Sequence, residues 1–342
     1  MNFTSTLVFI GYLSISTLPL ASPLSALDNA IMALEAGQTE QARLLFEKQK
    51  EDPRAMVYLA KIYIDVDLDE AENWIEKAVN HKLSTAEAHY VRGRIMARQA
   101  AGSIFSALRY AEQAVDSFTK AVQLQPDSIQ YRKGLMQFHT SAPSIAGGEL
   151  DIAKEQIEKI RQLDPKAGVA AEINFELSQD NDALAEILLQ QAKQTYKDIP
   201  DFFFQAGMFY QRRGNYQVAF EELTLAISKS TQTKSTEIKS TEIKSTETKA
   251  SVVAKYHALY QLGRTSVLGK NNIEAGIKAL SEYISEAPEL DELVPKDWAE
   301  FRLANLMALS SQESAAKIIY LRLAKTDNKE LAKEAKQAAK KI

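Results

Sequence analysis

The sequence predicts an all-α chain built as a solenoid of antiparallel helix pairs, and three observations carry that reading. Good helix formers (Ala, Leu, Glu, Lys, Gln) dominate the 342 residues. A pattern of alternating large and small residues recurs at a spacing of about 34 residues, the period of helix-pair arrays. Only 13 glycines and 9 prolines are present, and many of them punctuate the boundaries of that pattern.

The clearest unit begins at Pro200. In DFFFQAGMFYQRRGNYQVAFEELTLAIS, Gly207 and Ala219 are small where two helices would cross, and Phe203, Tyr210 and Leu223 fill the space around the crossing. Gly214 ends the first helix, since only glycine enters the left-handed region at little cost. Ala42, Phe46 and Pro53 mark a first unit with Gly37 at its turn, and Leu59, Ala60, Tyr63, Ala71, Ile75 and Ala78 mark a second. Ala114, Phe118, Ala121 and Pro126 form a complete second helix, as do Ala153, Ile157, Ile160 and Pro165. A weaker unit spans 167–201 with Ala185, Leu189 and Ala192. Leu262 and Gly263 pair with Gly276, Leu280 and Pro288, and Leu303 and Ala304 pair with Ala316 and Tyr320.

This grammar resembles that of the tetratricopeptide repeat (TPR) proteins, specifically the bacterial, exported type, over about eight units from Leu27 onward. The resemblance implies a right-handed superhelix with partner binding on its concave face, and no enzyme. It places the concave surface three residues before and one after the small crossing residue of each first helix. Those positions hold Lys61, Tyr90, Arg94, Tyr131, Phe204, Met208, Tyr260, Arg264 and Phe301, with Leu135 and Asn305 completing the series. An aromatic ladder interleaved with cations suits an extended protein or peptide segment carrying carboxylates. Tyrosine is common at this position in the family for ordinary packing between repeats, and that packing reading is the stronger one.

Three irregular stretches interrupt the array. The segment between Gly93 and Ala114 is about nine residues longer than a standard unit, which predicts two lengthened helices and a ridge near Ile104–Tyr110. His139–Leu150 (HTSAPSIAGGEL) contains Pro143 and the Gly147–Gly148 pair, which rule out continuous helix. It resembles an insert of bacterial TPR-like proteins. Finally, KSTQT, KSTEI, KSTEI and KSTET run in tandem from Lys229 to Thr248. Their serines and threonines compete with helix for hydrogen bonds, so 229–251 reads as a flexible insertion between repeats at 27–228 and 252–326.

Both ends are distinctive. Residues 1–26 carry no charge, and the apolar run Leu7–Leu20 is shorter than the ~20 residues a spanning helix needs. A signal peptide is the expectation, giving a periplasmic or secreted chain with no integral span once cleaved; an uncleaved, buried or membrane-resting helix is the alternative. Residues 327–342 read as a capping helix with an apolar stripe of Leu331, Ala335, Ala338 and Ile342 among lysines. A basic tail for an acidic partner is the other reading.

Chemistry is sparse. There is no cysteine and there are four histidines, His81, His89, His139 and His257, none of them paired at i,i+4. No nucleophile elbow occurs, and Gly263–Lys270 (GRTSVLGK) has one residue too many between its glycines for a phosphate loop. No cofactor is expected, and a net charge of −4 argues against nucleic acid. The expectation is a non-enzymatic protein-binding scaffold of the bacterial envelope. The alternative is a structural or assembly subunit that acts through self-association or docking.

Overall fold

A computed structural model describes residues 25–102, 105–237, 245–290 and 292–342. Within them the chain forms seventeen α-helices and one short 3₁₀ turn, with no strand. Helices α1 (Ala26–Glu35) and α2 (Thr39–Glu47) make the first pair, then α3 (Pro53–Tyr63) and α4 (Leu68–Asn80). Next come α5 (Ala86–Gly102) with α6 (Ala107–Leu124), α7 (Ile129–Ser141) with α8 (Leu150–Leu163), and α9 (Pro165–Ser178) with α10 (Asp182–Thr195). The last pairs are α11 (Pro200–Arg212) with α12 (Tyr216–Glu237), α13 (Ser245–Gly269) with α14 (Ile273–Glu286), and α15 (Lys296–Leu309) with α16 (Glu313–Leu323). Helix α17 (Lys329–Ala339) follows α16.

Helix starts follow from local chemistry. Asp52, Asp67, Ser128, Asp164 and Asn328 each accept a hydrogen bond from a first-turn amide, satisfying donors that the helix leaves open. Ser25 and Asp28 form a reciprocal capping box at α1. That box lies inside the stretch read as signal, so the described fold starts at Ser25 and not at Leu27. Residues 1–24 lie outside the described residues.

Within the pairs, glycine permits the closest approach. A Cβ on Gly207 would stand 2.6 Å from Leu223 Cγ, and one on Gly263 would stand 2.3 Å from Leu280 Cγ. Several turns inside pairs carry a left-handed residue, supplied by Gly37 and Gly214 but also by Asp180, Lys270 and Ser311. Gly37 has a second role, because a Cβ there would lie 2.8 Å from the carbonyl oxygen of Glu289. The α1–α2 turn thus touches the loop between α14 and α15, near the other end of the chain.

The core runs through the stack as connected clusters. Ala60, Ile75, Val91, Phe118 and Leu135 join units two to four, and Leu223, Leu259, Leu280, Tyr283 and Leu306 join units six to eight. Helix α17 buries Leu331, Ala335 and Ala339 against Tyr320 and Leu323 of α16.

The flexible-insertion reading of 229–251 needs correction. Helix α12 continues through Glu237 and α13 already begins at Ser245; residues 238–244 lie outside the described ones. Helix extends cheaply once a packed segment nucleates it. Ser230 and Thr231 donate to the carbonyls of Ala226 (2.8 Å) and Ile227 (3.0 Å) within that helix, so these hydroxyls do not break it.

Candidate functional site

The concave positions present a surface largely engaged with itself. Lys61 pairs with Glu87 of α5 and sits 4.7 Å above the Tyr58 ring. Tyr90 lies 5.1 Å from the Tyr131 ring and 5.9 Å from that of Phe118. Tyr131 is buried, which pushes its phenol above the usual value, with the nearby Glu87 charge adding to the effect. Phe204 stacks on His257 at 6.5 Å, and Met208 beside it is half-buried. Tyr260 is buried 5.8 Å from Tyr283, and Phe301 is buried between Trp298 and Tyr320. Arg264 donates to Gln211 Oε1 at 2.5 Å, and Gln211 in turn donates to Thr265 at 2.7 Å, making a polar seam between α11 and α13. Tyr131 therefore works in packing between units, Tyr260 and Phe301 in packing within their own pairs, and Arg264 in a seam. They are not a free ladder.

Arg94 differs. It is exposed and, among the described residues, makes no ion pair. One helical turn on, Arg98 takes Asp65. Both arginines, with Tyr90, border a cavity of about 590 Å³. Its walls are Ala97, Ala100 and Ala101 of α5, Ala107, Leu108, Ala111 and Phe118 of α6, Gly134, Gln137 and Phe138 of α7, and Pro143, Ile145 and Ala146 of the following turn.

The cavity is the joint product of two irregular stretches. Helices α5 and α6 have 17 and 18 residues where α3 has 11 and α7 has 13. Their extra turns extend an alanine-rich face beyond α7. The α7–α8 connection then folds under that face as a 3₁₀ turn, η1 (Ser144–Ala146), closed by Gly147 at φ +87. The amides of Ala146 and Gly148 both donate to the Pro143 carbonyl, at 2.8 and 3.1 Å. Gly148 is obligatory, since a Cβ there would fall 1.8 Å from the Ala142 carbonyl oxygen. The lengthened pair and the Gly-Gly turn were each legible as irregularities. Their meeting was not, because nothing local in the sequence brings them together.

His139 is buried beneath this turn, its ring edge-on to Phe138 at 5.6 Å. Burial lowers its pKa from the ordinary value of 6.5, against the opposing pull of Glu149 and the Gly147 backbone. Being lowered, it contributes stability that is complete above about pH 6.5 and is lost as the pH falls below that value. The melting temperature is expected to drop between about pH 7.5 and 5.5, and to drop less in His139→Gln. Equal pH dependence in both proteins would remove His139 from the account. Half-buried His89, lowered by burial and by Lys120 and Arg92, contributes in the same direction in both.

Among the described residues no group of His, Asp and Glu is arranged to hold a metal ion, and no helix is long and apolar enough to cross a membrane.

Neither a protein-family model nor a curated protein sequence matches the chain. Among solved structures it is similar to yeast Tom70, at 16% identity and a TM-score of 0.65, covering 96% of this chain and 67% of that one. It is also similar to a tetratricopeptide repeat protein from Parabacteroides merdae, at 12% identity and a TM-score of 0.42, covering 84% and 98%. A third likeness is to YrrB, a TPR protein with an unusual peptide-binding site, at 18% identity and a TM-score of 0.33, covering 60% and 84%. At such identities the likeness fixes architecture alone, and the architecture is an all-α, TPR-like solenoid of helix pairs.

Proposed function

We propose that the chain is a non-enzymatic scaffold that binds a partner protein, with an apolar part of the partner entering the cavity between α5, α6 and α7 and a carboxylate meeting Arg94. The cavity carries the reading: its volume lies in the range of binding pockets, its walls are apolar, and an unpaired guanidinium stands at its mouth. Protein segments are anchored by a few side chains in such hollows. The half-buried concave positions Phe204 and Met208 supply further contacts. The uncharged N-terminal stretch supports action in the bacterial cell envelope, as a periplasmic or secreted chain.

Capture of a cross-linked partner from envelope extract tests this. Arg94→Glu and Ile145→Glu, at exposed positions of the rim, are expected to reduce capture at least about tenfold, a loss typical of interface anchors, while circular dichroism stays parental. Full capture by both variants would sink the cavity as the site.

Phe105, fully exposed in the α5–α6 connection, supports a second reading, assembly through that ridge. In that case the pure protein sediments as an oligomer and Phe105→Ser sediments as a monomer.

A further inference from the structure

Helix α17 packs one face on α16 and leaves the opposite face exposed. Along that face stand Lys329, Lys333, Lys336 and Lys340, spaced i, i+4, i+7 and i+11, which keeps them within roughly 60° of arc over about 16 Å. Lys325, in the turn before the helix, extends the row. All five are exposed, and among the described residues none makes an ion pair. With Ala324, Thr326, Ala332 and Gln337 they line an open hollow of about 600 Å³ containing no carboxylate. Glu330 and Glu334 project roughly a quarter-turn or more around the helix.

We propose that this lysine face docks the chain on an anionic lipid bilayer. The composition of the face selects the partner. It has no arginine to grip individual carboxylates as a fork. Its apolar surface amounts to alanines, so a protein partner finds no pocket for an anchoring side chain. It has no aromatic ring on which a base stacks. A row of ammonium groups with no carboxylate among them matches instead a field of anionic headgroups, to which each lysine contributes additively. The apolar stripe of α17 stays buried on α16, so attachment is electrostatic, with no insertion of the helix.

The test is co-sedimentation of the full chain with vesicles of phosphatidylcholine containing about one part in three of phosphatidylglycerol, against phosphatidylcholine alone. In about 0.1 M salt, the Gln variant at Lys329, Lys333, Lys336 and Lys340 is expected to bind the anionic vesicles on the order of 1,000-fold less than the parent. The Arg variant at the same four positions keeps binding, and about 1 M salt abolishes it. Helicity and melting temperature are compared first, and Lys329→Glu/Lys340→Glu serves as an independent variant. Equal binding by parent and Gln variant, equal binding to neutral vesicles, or binding that salt leaves unchanged overturns the proposal. So does lysine-dependent binding of RNA or an acidic peptide without binding to vesicles.

Discussion

Gly148→Ala is expected to destabilise the protein by about 3 kcal/mol or more, at the upper end of what an inserted methyl costs. The added Cβ would fall 1.8 Å from the Ala142 carbonyl oxygen. The obstacle is backbone, which cannot rotate aside like a side chain. Relief requires the Ala142–Gly148 turn to open, and with it goes the cavity wall formed by Pro143, Ile145 and Ala146. Partner capture should therefore fall together with stability. Gly102→Ala is the matched control, since a Cβ there meets nothing within 4 Å. Urea denaturation of the three proteins decides the matter; a Gly148→Ala protein as stable as the parent would contradict the turn geometry.

Lys193→Met is expected to cost about 3 kcal/mol, whereas Lys193→Met/Glu222→Leu should return close to parental stability or exceed it. Lys193 of α10 and Glu222 of α12 form an ion pair with side chains only 12% and 10% exposed. The lysine ammonium also lies 5.8 Å from the Phe203 ring, and Glu222 Oε2 has no hydrogen-bond partner. Removing the lysine leaves a desolvated carboxylate in this seam, while removing both charges leaves apolar surfaces that can pack. Thermal denaturation of the two single variants and the double variant closes the cycle. Parental stability in Lys193→Met would mean that water reaches Glu222 and the pair contributes little.

The architecture was legible because each helix pair repeats the same local requirements. Gly207 and Gly263 stand where side chains of the partner helix press closest, and Pro53, Pro165 and Pro200 open helices with φ already set. Where a turn takes Asp180, Lys270 or Ser311 in the left-handed region, no residue type advertises it, and boundaries there rested on neighbouring units. The Lys-Ser-Thr repeat misled for a related reason: propensity is local, whereas α12 and α13 extend from packed helices.

The site was harder to read. Spacing locates a concave position but does not reveal its partner. Lys61 is occupied by Glu87 and Arg264 by Gln211, contacts that cross units. Arg94 makes no ion pair among the described residues, while Arg98, one turn on, takes Asp65. The cavity arises only when a lengthened pair meets a turn that lies in the next unit.

The touch between Gly37 and Glu289 limits what the concave face can accommodate along its whole length. It brings the first unit back to the loop between the seventh and eighth, so the array completes about one superhelical turn. A guest lying against every unit would have to curve through nearly a full circle. A straight helix is too stiff for that path and can meet only a few neighbouring units. An extended chain, which bends at each residue, could follow all of them.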